Sequence, residues 1–553
     1  MTAENNKTPS LKSQSAWLLF AKVVGFGFSF LLPLLIVRLL TQEQVGIYQQ
    51  VFLVIVNANV ILTLGFGMSA YYFLARETVR RPSVVFHTLL FNFVMGGISC
   101  LTLYLYPQII GNIFESAEEI TRLAPKIGVV IWLWIFSSFL ETVAVANREP
   151  RAATLFIILA QLTKTALIIS AVMIYTTVES FIYAAMIQAA IQTIVLLIYL
   201  NSRFPKFWTA FDASFFREQL FYALPFGLAG LLWTLQTDIH NYFVGHRFSP
   251  AESAVYRIAC FELPLIAILA ESVTSVLIPR MSELQSRDDK PEMIRLTARI
   301  MEKLAFFYFP IYVFLLITAQ TFITTIFTHN YLASVPIFLI NITLLPMYIL
   351  VTDPIVRAYR ELGRLLLILR VFILIALVAA LYFGIRNFDL RGMIAIVVVT
   401  AFVDRFVSTA IVLKKLNVGR RDWFLLTNVG KTAAASLFAG FFTYLFYWEF
   451  NERIFLWGEY LTKTIFAVPN ESIVDFIAGG FVLGLCGLIY APIYLFIANY
   501  FGIIEDEEKE KIGSGVRGLR VAFKKLTRRN STIETQKSKT KNQLLNNQLT
   551  PDP

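Results

Sequence analysis

Charged side chains stand inside long apolar stretches of this chain, and their chemistry needs an explanation. A charge at the centre of a bilayer costs roughly 2.5–3.5 kcal/mol on insertion scales, so it generally faces a cavity or a partner. Four cations have no opposite charge three or four residues away: Lys22, Lys164, Arg257 and Arg370. Gathered in one lumen, they would bind an anionic group such as a phosphate or pyrophosphate. Alternatively, each is the structural partner of an acid on another helix.

A second set of residues fits either an ion pair or coupling to an ion: Asp238, His240, Glu262, Glu271 and Asp404. An imidazole group changes charge near neutral pH, which suits a proton-coupled step. Asp238 and His240 are two residues apart and therefore point to opposite sides of a helix. Asp404 and Arg405 are adjacent, about 100° apart around a helix, so we expect only one of them to face a lumen.

Charged residues near predicted helix ends have simpler explanations. Asp353 and Arg357 are four residues apart, so we expect them to pair with each other. Arg38 can extend to the membrane interface. The cysteines and histidines are scattered, so we predict no disulfide, no metal site and no cofactor. The three cysteines are Cys100, Cys260 and Cys486.

Helices must carry these residues through a membrane. Hydrophobic residues make up 57% of the chain and charged residues 15%, whereas soluble domains are closer to a quarter charged. A helix needs about 20 apolar residues to cross the hydrocarbon core. We therefore predict an all-α polytopic membrane protein. The fourteen predicted spans lie at about 16–40, 45–75, 82–107, 120–147, 152–175, 179–201, 216–246, 251–280, 297–327, 333–360, 363–384, 390–415, 424–448 and 472–500.

The second six spans repeat the first six. The motif Thr41–Tyr48 (TQEQVGIY) returns about 200 residues later as Ser249–Tyr256 (SPAESAVY), and the following apolar runs keep nearly the same offset. An even number of helices per repeat makes the repeats parallel, and we expect a V-shaped pair with a binding site between them. The predicted divisions are an amino-terminal lobe at 1–201, a linker at 202–215, a carboxyl-terminal lobe at 216–415, helices 13 and 14 at 416–504 and a tail at 505–553.

Lysine and arginine concentrate in alternate loops, which include Arg80, Arg148 and Arg287. The positive-inside rule places these loops and both termini in the cytoplasm. The net charge of +11 then reflects topology and attraction to an anionic leaflet, so we predict no nucleic-acid partner. In the tail, Val516–Leu526 repeats apolar residues at helical spacing among basic ones. This segment is either a helix on the membrane surface or part of a disordered basic tail.

Around the seventh and eighth spans, the sequence resembles a known family. The resemblance is to the oligosaccharide (O-antigen, Wzx-type) flippases, polysaccharide biosynthesis transporters of the multidrug/oligosaccharidyl-lipid/polysaccharide exporter superfamily. It rests on Leu224–Leu231, Phe243–Gly245, Ser249–Tyr256, Phe261–Ile266 and Leu277–Ser282. It covers about residues 15–500 and implies a MATE-like fold. Many members carry an Asp-Arg pair shortly before the glycine at 245, where this chain has His240-Asn241, so a coupling role carried over to Asp238 rests on a different helix face.

The resemblance implies a flippase for an undecaprenyl-pyrophosphate-linked oligosaccharide in the bacterial cytoplasmic (inner) membrane. Such a protein would serve polysaccharide biosynthesis, for example of lipopolysaccharide O-antigen. Its partners would be the lipid-linked oligosaccharide, membrane lipids and a glycan polymerase or ligase. The sequence has no G-x-x-x-x-G-K-[ST] nucleotide-binding loop. We therefore expect coupling to an ion gradient or to the membrane potential.

Three alternatives remain open. A drug/cation antiporter of the multidrug and toxin extrusion type would favour an acidic lumen over a basic one. A lipid II-type flippase resembles this chain in having two helices beyond twelve. A membrane glycosyltransferase or polymerase needs a loop that holds catalytic groups, but the longest outer connection, at 448–471, has no cluster of acids or histidines. We therefore predict no enzymatic activity.

Overall fold

The computed structural model describes residues 25, 27, 28, 31–77, 79–261, 263–465 and 469–504. All regular structure within these residues is helical, and twelve of the helices are long and apolar enough to cross a membrane. The predicted all-α polytopic membrane fold is confirmed, whereas the count of fourteen spans is not. Most of the predicted first span lies outside the described residues. So does the tail at 505–553, with its predicted basic segment.

The amino-terminal lobe contains α1 Gln42–Leu62, α2 Phe66–Arg76, α3 Arg81–Leu105, α4 Gln108–Gly111, α5 Ala117–Ser137, α6 Phe139–Ala146, α7 Pro150–Ile174 and α8 Val178–Arg203. The carboxyl-terminal lobe contains α9 Ala213–Arg247, α10 Pro250–Ala259, α11 Pro264–Ser286, α12 Lys290–Phe327, α13 Val335–Asn341, α14 Asp353–Ala358, α15 Arg360–Asn387 and α16 Leu390–Leu416. Two further helices follow, α17 Thr427–Thr464 and α18 Glu471–Tyr500. Short 3-10 segments lie at 207–209, 329–334, 342–349 and 420–426.

The repeated sequence motif is a helix start. Thr41 caps α1 and Ser249 caps α10, each in a capping box with the residue three positions on, Gln44 or Glu252. In the second box, the backbone N–H of Glu252 donates to Ser249 Oγ at 3.3 Å, and the backbone N–H of Ser249 donates to Glu252 Oε2 at 3.0 Å. These reciprocal bonds satisfy amide groups that a helix start otherwise leaves unpaired. The motif therefore recurs because both lobes begin an equivalent helix there.

The predicted spans at 45–75 and 251–280 are each broken into two helices, so their prediction as single helices is wrong. In the first, α1 and α2 are separated by Leu64 and Gly65, which have φ values of 42° and 75°. These left-handed conformations interrupt the helical hydrogen bonding. In the second, α10 ends at Ala259 and α11 begins at Pro264, and proline is favoured at the first position of a helix. Both lobes thus contain a break, but α1 runs for 21 residues after its capping box and α10 for only 10.

The lobes share a core at one end and have separate cores at the other. We call the end with the loops at 79–80, 147–149, 204–212, 287–289 and 417–426 the basic end, and the opposite end the far end. At the far end, Ile55 and Ile323, one from each lobe, belong to one continuous core. At the basic end, the core around Leu140 is distinct from the core around Met281. The molecule is therefore a V that opens toward the basic end.

Helices α17 and α18 pack outside the V, against α12. Tyr494 donates a hydrogen bond from its hydroxyl group to the carbonyl oxygen of Phe306 at 2.8 Å. Gly440 approaches Val313 so closely that a Cβ atom would lie 2.4 Å from Val313 Cγ1. Small residues allow such contacts between membrane helices. The extra pair was predicted, but α17 extends to Thr464, so most of the predicted connection at 448–471 is helical.

Candidate functional site

A cavity of about 140 Å³ lies in the basic half of the carboxyl-terminal lobe, beside α9. Its charged and polar lining combines residues from α9, α14, α15 and α16. They include Trp233, Gln236, Asp353, Arg370, Asp404 and Arg405. The cavity therefore contains Arg370 and Asp404, two of the residues that the sequence analysis selected.

Asp404 and Arg405 both line this cavity, so the expectation that only one of them faces a lumen is wrong. The length of the arginine side chain explains the difference. The Arg405 guanidinium lies 5.6 Å from the centre of the Tyr348 ring, and its Nη1 is 3.5 Å from the carbonyl oxygen of Leu350. A long side chain anchored in this way reaches around its helix, whereas helical angles describe only the direction of the Cβ atom.

The cavity has a mixed charge. Asp353 accepts a hydrogen bond from Nε of Arg357 at 2.8 Å, which confirms the pair predicted from their spacing. Asp404 differs, because its Oδ1 atom is buried and has no hydrogen-bond partner within the described part of the chain. A buried carboxylate oxygen without a donor is costly, so it is expected to find one in a ligand or in water.

A second charged cluster lies where the two lobes meet. Arg257 on α10 interacts electrostatically with Asp238 and Tyr242 on α9. Asn57 on α1, in the other lobe, donates from Nδ2 to the Tyr242 hydroxyl group at 3.1 Å and also hydrogen-bonds to Asp238. The Arg257 Nη1 atom is buried without a hydrogen-bond partner among the described residues. This cluster therefore has an unused cationic donor between the lobes.

His240 is buried between α9 and α10. Its Nδ1 atom is hydrogen-bonded to the Tyr256 hydroxyl group at 2.9 Å, and only 6% of the residue is exposed. This bond ties α9 to α10 within one lobe.

The remaining predicted site residues are dispersed. Lys164 on α7 lies in the amino-terminal lobe, with Nζ 5.4 Å from the centre of the Trp134 ring. Glu271 lies on α11 and interacts with a neighbouring residue. Lys22 and Glu262 lie outside the described residues. Of the three described cations, only Arg370 lines the cavity, so the structure does not gather them at one point.

Polar contacts close the far end. Arg38, from the helical stretch at 31–39, donates from Nη1 to the carbonyl oxygen of Ile326 at 2.8 Å and from Nη2 to that of Thr325 at 2.6 Å. Its guanidinium also lies 5.1 Å from the centre of the Phe476 ring on α18. These three residues therefore hold Arg38 across the two lobes, and its predicted extension to the membrane interface stays a prediction.

A buried polar network holds the start of α9 to the amino-terminal lobe. His87 Nδ1 is 3.3 Å from Gln219 Oε1, and His87 Nε2 accepts the backbone N–H of Asp212 at 3.1 Å. Gln219 Nε2 donates to Ser69 Oγ and to Thr88 Oγ1, both at 3.1 Å. Because Nε2 of His87 accepts a hydrogen bond, the proton of the neutral ring lies on Nδ1 and is donated to Gln219.

Four residues of these two sites were not among the predicted site residues: Trp233, Gln236, Asn57 and Tyr242. Each is an uncharged residue in an apolar segment, where its type alone does not distinguish a cavity wall from a packed interface. An amide in a membrane helix is the only available signal, since it needs a polar partner. Both Asn57 and Gln236 carry that signal.

Comparison with solved structures identifies the fold. The lipid II flippase MurJ in an inward closed conformation matches with a TM-score of 0.63 at 15% identity, over 87% of this chain and 98% of MurJ. An inward-facing multidrug resistance MATE family transporter of the MOP superfamily gives 0.57 at 14% identity, over 70% and 94%. A MOP superfamily transporter from Pyrococcus furiosus gives 0.53 at 18% identity, over 75% and 99%. At these identities the likeness concerns the fold.

No curated protein matches this chain by sequence. A family model described as polysaccharide biosynthesis protein matches residues 35–336, which is more than half of the 553 residues. The match includes α1 to α12 and therefore both capping-box motifs. The chain belongs to the polysaccharide biosynthesis protein family, and its fold is that of the membrane transporters of the MOP superfamily.

Proposed function

We propose that this chain is a flippase that carries a lipid-linked oligosaccharide of the undecaprenyl-pyrophosphate type across the bacterial cytoplasmic membrane. Membership of the polysaccharide biosynthesis protein family supports the glycan cargo, and the fold supports transport. The exported glycan would enter polysaccharide biosynthesis, such as that of lipopolysaccharide O-antigen, through a glycan polymerase or ligase. The protein itself moves the cargo without chemical change.

One observation carries this proposal: the lobes are joined at the far end and separate at the basic end. With the basic loops and both termini in the cytoplasm, the V opens toward the side where a lipid-linked precursor is made. Transport requires the far-end contacts to break while the basic ends approach each other. Two independently packed lobes allow such rocking because each retains its own core.

Arg257 is the described cation best placed for the pyrophosphate group. It lies between the lobes, and its Nη1 atom is buried without a hydrogen-bond partner among the described residues. A guanidinium fork binds phosphate oxygens through two parallel hydrogen bonds, and the prenyl chain stays in lipid. We assign Arg370, which lines the cavity, to the polar part of the cargo, with Lys164 and Lys22 as further cations of the amino-terminal lobe.

We assign coupling to Asp238, because it is the acid that interacts electrostatically with Arg257. A pyrophosphate that binds Arg257 would compete with Asp238 for the guanidinium. The released carboxylate would then accept a proton or a cation, which links cargo binding to an ion gradient or to the membrane potential. Asp404 is the second candidate, because its Oδ1 atom has no hydrogen-bond donor among the described residues. His240 we assign to packing, because Tyr256 holds it in place.

A drug/cation antiporter fits this structure less well. The cavity lining holds Arg370 and Arg405 as well as two acids, so it lacks the predominantly acidic character that would favour an organic cation. A lipid II-type flippase also handles a polyprenyl-pyrophosphate-linked glycan, and MurJ shares the fold over 98% of its length. The two flippase assignments therefore differ in the glycan and not in the chemical class of the cargo.

The proposal is tested by measuring surface glycan and protein abundance together in a bacterial strain that lacks its own flippase. Arg257→Ala and Lys22→Ala should each abolish export while the protein still accumulates. Arg257→Lys should retain part of the activity, because lysine keeps the positive charge but not the forked guanidinium group. Arg364→Ala is the matched control, since Arg364 is exposed on α15. If Arg257 served only to neutralise Asp238, abundance would fall, and Asp238→Asn would restore it. Normal export in the Arg257→Ala, Lys22→Ala double variant would remove both residues from the mechanism.

A further inference from the structure

We infer that the cavity beside α9 binds one sugar ring of the cargo, with Trp233 as the surface on which the ring stacks and Asp404 as the acceptor of its hydroxyl groups. The inference rests on the proposed function and adds where the protein holds the glycan. Both residues line the cavity, together with Gln236 and Arg370.

Trp233 provides an open aromatic surface. Although it lines the cavity, 58% of the residue is exposed, so much of the indole is free to contact a ligand. The face of an aromatic ring is negative, and the C–H bonds on one face of a sugar ring are weakly positive, so the two surfaces attract. A tryptophan in this position therefore suits a sugar better than it suits a phosphate group.

The polar groups complete the match. A sugar hydroxyl group both donates and accepts hydrogen bonds, so its site needs acceptors and donors side by side. Asp404 Oδ1 is a buried acceptor that no donor in the described part of the chain satisfies. The Arg370 guanidinium and the Gln236 amide supply donors in the same cavity. Together these groups form both halves of a hydroxyl-binding site.

Charge and size point to the same ligand. Two arginines, Arg370 and Arg405, and two acids, Asp353 and Asp404, line the cavity, so the formal charges of the lining balance, and Asp353 is paired in addition with Arg357. A balanced site favours a neutral polyol over a bare pyrophosphate or an organic cation. The cavity volume is about 140 Å³, and an engineered cavity of roughly 150 Å³ holds a single six-membered ring. The site therefore has room for one sugar ring and not for a whole oligosaccharide.

The test compares two kinds of soluble probe on the purified full-length protein in lipid nanodiscs, by isothermal titration calorimetry. One probe is geranyl pyrophosphate. The others carry a single glucose, galactose or N-acetylglucosamine on the same pyrophosphate. The wild-type protein should bind at least one sugar-bearing probe more tightly than geranyl pyrophosphate. Trp233→Leu and Asp404→Ala should each lower the affinity for the sugar-bearing probe about tenfold and leave the affinity for geranyl pyrophosphate unchanged.

Controls separate a sugar contact from general damage. Trp233→Phe should keep part of the preference because it retains an aromatic face. Trp448→Leu should change neither affinity, since Trp448 on α17 is 73% exposed and does not line the cavity. Equal binding of all probes by the wild type would overturn the sugar site while the proposed function stands. Loss of affinity for both kinds of probe in Trp233→Leu would also overturn it. No binding of any probe would overturn the proposed function, and the sugar site with it.

Discussion

A Cβ atom on Gly46 would lie 1.8 Å from the carbonyl oxygen of Pro250, so the first turns of α1 and α10 meet backbone to backbone. The two residues belong to the repeated motif, one in each lobe. Only glycine permits so close an approach. The contact is part of the far-end closure, and alternating access requires it to break and reform in each cycle.

Replacing Gly46 should therefore bias the protein toward a state that is open at the far end. In Gly46→Ala, the added methyl group clashes with backbone atoms, which cannot rotate away. We expect the distance between spin labels at Thr176 and Arg391, at the far ends of opposite lobes, to increase, and export to fall. Gly480→Ala is the control, because nothing lies within 4 Å of its added atom. Unchanged label distances in Gly46→Ala would show that this contact does not hold the far end closed.

Arg38 should hold the same closure through its hydrogen bonds to Thr325 and Ile326. Hydrogen bonds to a charged group contribute about 1.5–3 kcal/mol each, so Arg38→Gln should open the far end at least tenfold more often. The readout is the reaction of a membrane-impermeant maleimide with Ser253→Cys in a background without the three native cysteines. Residue 253 is 3% exposed, between the lobes.

Arg247→Gln is the matched control for Arg38. Arg247 also donates to a far-end carbonyl, that of Phe388 at 3.2 Å, but within one lobe. The Arg247→Gln substitution should leave the rate of the maleimide reaction with Ser253→Cys unchanged. Equal acceleration by both substitutions would mean that Arg38 acts on local stability and not on the contact between lobes.

Much of the architecture could be predicted because it depends on patterns of residues that are close together in the sequence. The repeat of Thr41–Tyr48 at Ser249–Tyr256 indicated two lobes, and the structure shows that it encodes two capping boxes. The pair Asp353–Arg357 followed from helical spacing alone. Such features depend on residues three or four positions apart, which sequence patterns describe well.

The candidate site could be predicted only in part, because it depends on contacts between distant segments. No proline marks the break at Leu64 in the sequence. The break lies where α9 packs closely against the chain, a contact that only the structure shows. The acceptors that hold Arg38 come from α12. Trp233 resembles any apolar residue of a membrane helix until α15 and α16 are seen to leave a cavity beside it.

Gln219 should stabilise the attachment of α9 to the amino-terminal lobe. Gln219→Leu removes the partners of His87, Ser69 and Thr88 in a fully buried site, where unsatisfied groups cost about 1–3 kcal/mol. We expect a lower temperature of thermal unfolding in detergent. Gln320→Leu, at an exposed position on α12, should leave that temperature unchanged. An unchanged unfolding temperature in Gln219→Leu would show that this network does not contribute to stability.

Removal of the carboxyl-terminal tail should leave transport largely intact if the cut follows Ile504. The tail sequence has too few apolar residues to form a core of its own. A cut after Tyr500 would be less well tolerated, because Ile504 is buried in the core formed with Tyr490 and Tyr494. Surface glycan and protein abundance measured for both truncations would separate the two cases. Loss of export by a stable protein cut after Ile504 would show that the tail takes part in transport.

The central claim, that this chain moves a lipid-linked oligosaccharide between leaflets, is tested most directly in proteoliposomes. Purified protein is reconstituted with a polyprenyl-pyrophosphate oligosaccharide that carries a fluorophore on the glycan, and a membrane-impermeant quencher is added outside. If the protein is a flippase, the quenched fraction should rise from the outer-leaflet share toward completion, at a rate that changes with an imposed ion gradient or membrane potential. The Arg257→Ala variant should resemble protein-free vesicles. Quenching that stops at the outer-leaflet share with folded wild-type protein, under every gradient and potential imposed, would contradict the account.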